Sequence, residues 1–348
     1  MKHTKGDLAQ MQSLPLSAKI LMTKRRIREW YDYWDGQVYI SFSGGKDSTV
    51  LLHIARELYP DIEAVFVNTG LEYPEIQSFV KTFDNVTILR PKMRFDEVIK
   101  TYGYPIISKD IAMTIHYAKQ NNAEWAWKRL NGINGKTNEL SEYRESRYGK
   151  YKPLTQVDFN CSNWCCLVMK EKPLHEIEKT KKPIMGILAS ESERRTDAWL
   201  KTGCNAFDSK KPMSKPMSFW TEQDVLQYIK ENNIPIASVY GDVVYKEDSD
   251  QMRIEDYGIE GCGTEKLCTT GCDRTGCIFC AFGAHLDERG GGKSRFERLK
   301  ETHPRQYEYC IGGGEYVDGV WQPSKEGLGM GHVFDELNKI YGDGFIKY

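Results

Sequence analysis

The chain has 348 residues, long enough to bury a full core, with 48 Lys and Arg against 49 Asp and Glu. A formal charge of −1 leaves no global basic footprint for nucleic acid, and 40% hydrophobic content excludes a disordered chain. No apolar run reaches the roughly 18 to 20 residues of a membrane span, and the polar opening MKHTKGDLAQMQS lacks a secretory core, so the cytoplasm is the expected compartment and no membrane partner is expected.

From about Leu14 to Trp34 the spacing predicts an amphipathic helix, with Ile20, Ile27, Trp30, Tyr31 and Trp34 near one face and basic residues largely on the other. Asp35-Gly36 supplies a turn, and Val38 to Phe42 is a buried strand followed by a glycine-rich loop. Helical spacing over Ser48 to Leu58 leads to a second strand, Ile62 to Val67. Pro74 opens the next helix, to about Phe83, before a third strand at Val86 to Leu89. This alternation predicts an α/β fold: an open, mostly parallel sheet with helices on both faces. Helices are expected over Phe95 to Thr101 and Ser108 to Ala118. A polar excursion runs from about Asn121 to Tyr151, strand character returns at Ile184 to Ala189, and Thr221 with Asp224 forms a capping box. A last short helix lies around His332 to Ile340. The expected organisation is a helical segment over 1–35, a nucleotide-binding domain over 36–240 and a cysteine-rich C-terminal appendage over 241–348.

The loop Ser43-Gly44-Gly45-Lys46-Asp47-Ser48 joins a buried strand to a helix. Its glycines let backbone N–H groups converge on an anion, and the helix N-terminus adds a favourable dipole. Lys46 suits a phosphoryl charge, the serine hydroxyls suit phosphate oxygens, and Asp47 suits holding the loop or placing magnesium. It is not the Gly-x-x-x-x-Gly-Lys-Ser/Thr loop.

Ten cysteines are many for disulfides in a cytoplasmic chain. Cys161, Cys165 and Cys166 form one group, Cys262, Cys268, Cys272, Cys277 and Cys280 another, and Cys204 and Cys310 stand alone. Clustered thiolates select zinc or an iron–sulfur cluster, and spacing does not separate the two.

The loop, taken with Asn68-Thr69-Gly70-Leu71-Glu72-Tyr73-Pro74-Glu75 at the end of the second strand, resembles the adenine-nucleotide alpha-hydrolase superfamily of PP-loop ATP pyrophosphatases. Within it, the chain resembles the phosphoadenosine phosphosulfate reductase family. Cys165-Cys166 followed by Lys170 and Pro173-Leu174, with the later Gly276-Cys277-Ile278-Phe279-Cys280, is similar to its iron–sulfur branch. The resemblance implies an adenine nucleotide near Ser41, Ser43, Gly44, Gly45, Lys46, Asp47, Ser48, Asn68, Thr69 and Gly70, with Lys109 a further phosphate candidate. It implies a four-iron, four-sulfur cluster on Cys277 and Cys280 with Cys165 and Cys166, Cys272 being the substitute and zinc the other metal. Arg194 and Arg195, in Ser192-Glu193-Arg194-Arg195, are expected beside the nucleotide because arginine forks suit phosphate and sulfate; with Lys46 and Asp47 they make the candidate catalytic set.

Two departures from the reductases shape the expected function. Lys46 suits the β- and γ-phosphates of ATP, and the last cysteine, Cys310 in Tyr309-Cys310-Ile311-Gly312, does not match a C-terminal Glu-Cys-Gly segment; Glu260-Gly261-Cys262-Gly263 is only partly similar. The expected activity is therefore ATP α–β cleavage with magnesium and pyrophosphate release, coupled to sulfur transfer from an unidentified donor to an unidentified acceptor, with tRNA or DNA as candidate acceptors and a partner protein as a further candidate. The alternative is thiol-dependent reduction of adenylyl sulfate or phosphoadenylyl sulfate to sulfite. The third is a nucleotide-binding subunit without chemistry of its own.

Overall fold

The computed structural model describes residues 3–246, 266–290 and 292–348; Cys262 and the Glu260–Gly263 segment lie outside the described residues. The chain divides into two compact units, each assembled from separated segments. The first comprises 1–68, 72–89 and 174–276, the second 69–71, 90–173 and 277–348.

In chain order the first strands are β1 (Val38–Ser41), β2 (Ala64–Val67), β3 (Val86–Leu89), β4 (Ile106–Ile107), β5 (Lys182–Met185), β6 (Asn205–Ala206) and β7 (Met213–Ser214). All but β4 build one sheet in the first unit, ordered β3-β2-β1-β5-β7-β6. Every pairing in it is parallel except β6 with β7, so the sheet is mostly parallel with an antiparallel edge. After β1 the chain winds outward to β2 and β3, then returns on the other side of β1 as β5. That reversal places a ligand-binding crevice at the carboxyl ends of β1 and β5, where their loops diverge.

The core between this sheet and its helices holds Ile27, Trp30, Ile40, Val50, Ile54, Ala64, Ile184, Trp199, Phe219 and Trp220, all at most 1% exposed. The amphipathic helix is Leu16–Tyr33, close to its expected limits. Its buried Lys19 pairs with Asp224 at 2.6 Å, and Asp224 also accepts from the Thr221 backbone N–H, completing the expected capping box at the helix Glu222–Glu231. An antiparallel pair of strands, β8 (Val243–Tyr245) and β9 (Leu267–Thr269), also belongs to this unit.

In the second unit β4 pairs in parallel with β10 (Ala281–Phe282). The helices Phe95–Tyr102 and Lys109–Asn121 flank β4 in sequence, the latter capped by Ser108, whose side chain accepts from the Ile111 N–H. The polar excursion is itself helical over Glu124–Leu130 and Glu142–Tyr148; Arg129 and Tyr148 both reach Asp110, at 3.3 and 2.7 Å. The C-terminal helix spans Met330–Tyr341. Among the described residues no helix is long and apolar enough to cross a membrane.

Candidate functional site

The phosphate-type loop is built as its residue types require. Gly45 caps the helix Lys46–Leu58 with extended backbone (φ −79°, ψ 160°), so the helix starts two residues before the apolar spacing begins. Lys46, Asp47 and Ser48 therefore form its first turn, whose N–H groups have no acceptor within the helix. Gly44 has φ +73°, and a Cβ there would stand 2.8 Å from Val80 and 2.9 Å from Ile76, so only glycine fits. On the far side, Gly186 ends β5 early: a Cβ would lie 2.9 Å from the Asp47 carbonyl oxygen. The loop after β5 thus packs directly on the first helical turn.

The two serines brace this loop. Ser48 donates to the Gly45 carbonyl at 2.9 Å and accepts from the Ser43 N–H at 3.2 Å; with its proton so placed, the 3.0 Å contact between the hydroxyls has Ser43 as donor. Ser43 in turn accepts from the Gly45 N–H at 3.3 Å. Both hydroxyls are spent inside the loop, and they take up the Ser43 and Gly45 N–H groups, so the donors that remain toward an anion are those of the first helical turn, Asp47 and Ser48.

Charged groups gather around it. Lys46 is 6% exposed; its ammonium pairs with Glu222 at 3.1 Å and stands 5.4 Å from the Tyr240 ring centre. Burial pushes the Asp47 carboxyl above its usual range, against the pull of Lys46, Arg274 and Arg195. Glu191 bridges Arg195 and Arg274. Burial and the neighbouring Arg274 push the Arg195 guanidinium below its ordinary value. The Tyr240 hydroxyl meets Thr275 at 2.5 Å, and burial pushes it up to about 12. Three cations, Lys46, Arg195 and Arg274, thus surround a helix N-terminus, the arrangement that holds phosphate or sulfate oxygens.

Of the nucleotide candidates, Ser41 ends β1, and Asn68 follows β2 with its N–H on the Leu89 carbonyl at 2.8 Å. Thr69 and Gly70 belong to the second unit, where the Thr69 hydroxyl accepts from the Leu71 N–H at 3.1 Å; Lys109 belongs there too. Arg195 joins the loop cluster, whereas Arg194, the residue just before it, lines a separate cleft with Lys201, Lys211 and Lys215. Glu191, Glu222, Tyr240 and Thr275 were not evident beforehand. Only Glu191, four residues before Arg195, carried a local signal; the others come from remote segments.

The second unit gathers four of the five candidate metal ligands. One cavity is lined by Cys165, Cys166, Cys277 and Cys280 with Leu71, Phe95, Pro105, Met169 and Lys170. Cys165 and Cys166 share a hydrogen bond, which with Lys109 and Lys170 lowers the Cys166 thiol against burial; Cys165 moves up for the same bond, for burial and for the charges of Cys166, Cys280 and Cys277. The Cys280 N–H returns to the Cys277 carbonyl at 3.0 Å. Arg295 fixes this turn by donating to the Cys280 and Phe282 carbonyls, both at 3.0 Å, while Asp287 holds its guanidinium. The donor set is soft and suits zinc or iron–sulfur. Among the described residues, however, no three Cys, His, Asp or Glu side chains are arranged to hold a metal ion. Cys272 belongs to the first unit, where its N–H meets the Val239 carbonyl at 2.9 Å. Cys310 is fully buried against Met330, and its thiol is pushed up by burial.

Comparison with known proteins bears on the chemistry. An adenosine 5′-phosphosulfate reductase of Staphylococcus haemolyticus is 24% identical over 220 residues, 62% of this chain and 70% of that protein. An uncharacterized protein of Methanocaldococcus jannaschii is 36% identical over 87 residues, 23% of this chain; the chain spans only 21% of that protein. A crystal structure of phosphoadenylyl-sulfate reductase from Candida auris, a phosphate complex, aligns with 76% of this chain and 96% of its own at 14% identity, but its TM-score of 0.34 carries no argument.

The adenosine 5′-phosphosulfate reductase and the reductase domain match correct the expectation of ATP α–β cleavage and pyrophosphate release. That expectation rested on Lys46 as a ligand for the β- and γ-phosphates, but the buried ammonium already has Glu222 and the Tyr240 ring as partners, so a lysine here needs no triphosphate to explain it. The phosphoadenosine phosphosulfate reductase domain profile matches residues 37–282, and the chain belongs to that family of nucleotide- and sulfur-processing enzymes.

Proposed function

We propose that the protein is a thiol-dependent sulfonucleotide reductase, taking adenylyl sulfate or its 3′-phosphorylated form and releasing sulfite. The match of the reductase domain over 37–282 carries this reading. A thiolate displaces the nucleotide at the sulfate sulfur, breaking the S–O bond to the phosphate and leaving an S-sulfonated thiol; a second thiolate then attacks the sulfur of that first thiol, breaking its bond to the sulfonate, so that sulfite leaves and a disulfide remains. Two thiols are oxidised as the sulfur gains two electrons, and AMP, or adenosine 3′,5′-bisphosphate, is the leaving group.

In this reading the N–H groups of Asp47 and Ser48 hold the α-phosphate, and Lys46, while paired with Glu222, adds positive charge beside the leaving phosphate. Arg195 and Arg274, held by Glu191, give forked donors to the sulfate oxygens. Ser43 and Ser48 keep the loop in shape, and Asn68, Thr69 and Gly70 take the nucleoside side. We assign Cys165, Cys166, Cys277 and Cys280 as ligands of a four-iron, four-sulfur cluster, supported by their shared cavity. Such a cluster, when bound, supplies a compact charged and redox-active centre.

The test is sulfite and AMP release from adenylyl sulfate and from phosphoadenylyl sulfate by anaerobically purified protein, with a dithiol as reductant. Sulfite from at least one of them, lost in Arg195→Ala, is expected. No thiol-dependent sulfite from either would reject the assignment.

A further inference from the structure

Arg194 and Arg195 are consecutive, yet they serve different places. Arg195 joins Glu191 beside the phosphate loop, whereas Arg194 lines a cleft with Asp197, Lys201, Ser209, Lys211 and Lys215. This lining carries four cations and one carboxylate. Among the described residues neither Asp197 nor any of the four cations is in an ion pair.

Lysines on an exposed surface need no ligand to explain them, but Lys215 is only 8% exposed. Its backbone is fixed at the end of β7: the N–H donates to the Cys204 carbonyl at 2.8 Å, and the carbonyl accepts from Ser218. The preceding Ser214 is tied to Asn205 at 2.7 Å, and Asn205 to the Arg26 carbonyl at 3.0 Å. The ammonium is thus delivered into the cleft from a rigid strand end with no carboxylate or carbonyl to receive it. A lysine side chain this buried and without a counter-charge carries a desolvation cost, and burial pushes Lys215 below its ordinary value, with the Cys204 thiol the ionisable neighbour that opposes it. An anion entering the cleft supplies the missing partner, while Arg194, Lys201 and Lys211 surround it from the exposed side.

We propose that this cleft is a second oxyanion site, separate from the phosphate loop, which binds a phosphate group. Its chemistry is that of a dianion held by a guanidinium fork and several ammonium groups. The site stands independently of the reductase assignment, since its evidence is the cleft alone. The phosphate has two sources, free inorganic phosphate or a second phosphate on the nucleotide.

The experiment is calorimetric titration of the full chain with inorganic phosphate, AMP and adenosine 3′,5′-bisphosphate. Lys215→Met removes the buried charge. Because that variant disturbs a packed position, the exposed pair Lys201→Ala with Lys211→Ala serves as a second probe that leaves the core intact. Lys46→Ala separates out binding at the loop. Phosphate binding that persists in Lys46→Ala, and weakens roughly tenfold to a hundredfold in either cleft variant, is expected for free phosphate. Loss in the cleft variants of the bisphosphate's advantage over AMP identifies the nucleotide as the source, and also supports the site. Binding of all three probes unchanged by both cleft variants overturns the proposal.

Discussion

Replacing Gly44 by alanine tests whether the loop geometry is as tight as it looks. The residue sits at φ +73°, which costs an L residue roughly 1–2 kcal/mol. Its new methyl would stand 2.8 Å from Val80 Cγ2 and 2.9 Å from Ile76 Cγ2. Both neighbours are at most 2% exposed, so relief requires a core shift of the kind that costs roughly 1–3 kcal/mol. Together these give about 2–5 kcal/mol. Gly70 provides the control, because its φ is +75° but an added Cβ meets nothing within 4 Å. Gly70→Ala should therefore cost only the backbone part, roughly 1–2 kcal/mol. Urea unfolding of both variants measures the difference, and AMP titration should show Gly44→Ala also weakening nucleotide binding by moving the helix N-terminus. A Gly44→Ala variant no less stable than Gly70→Ala would refute the packing argument.

Other outcomes follow from single residues. Lys19→Met breaks a buried pair and strands Asp224, which should cost roughly 3–5 kcal/mol in chemical denaturation; a loss under about 1 kcal/mol would contradict the buried-pair account. Asp47 has a raised folded pKa because of burial, so the stability tied to its neutral form is present below its ordinary value of 3.8 and lost as pH rises through the folded value. Asp47→Asn should therefore match the wild type in strong acid and melt increasingly higher than it toward neutral pH; thermal scans across that range showing the opposite trend would count against it. Cys277→Ser and Cys280→Ser should each abolish bound iron and sulfide in anaerobic preparations, while Cys310→Ala should retain them; near-zero iron with one equivalent of zinc in the wild type would reject the cluster.

Much of the first unit was readable from residue order. The apolar spacing of Val38 to Leu89 gave three strands with intervening helices, and Thr221 with Asp224 marked a helix start, because these signals are local. The loop could be located for the same reason: glycines between strand and helix have few other uses. What it binds was misjudged from Lys46. A lysine's position in sequence does not disclose that Glu222, 176 residues away, pairs with its ammonium.

Order along the chain therefore determined the parallel α/β fold, the loop and the paired-cysteine and Cys-x-x-Cys motifs, since each depends on residue types within a few positions of one another. Only the tertiary structure decided that Cys165, Cys166, Cys277 and Cys280 line one cavity, that Arg295 fixes the turn carrying two of them, and that Arg194 and Arg195 part company. Those outcomes depend on which distant segments meet, and on the direction each side chain leaves its helix. Neither is written in local spacing.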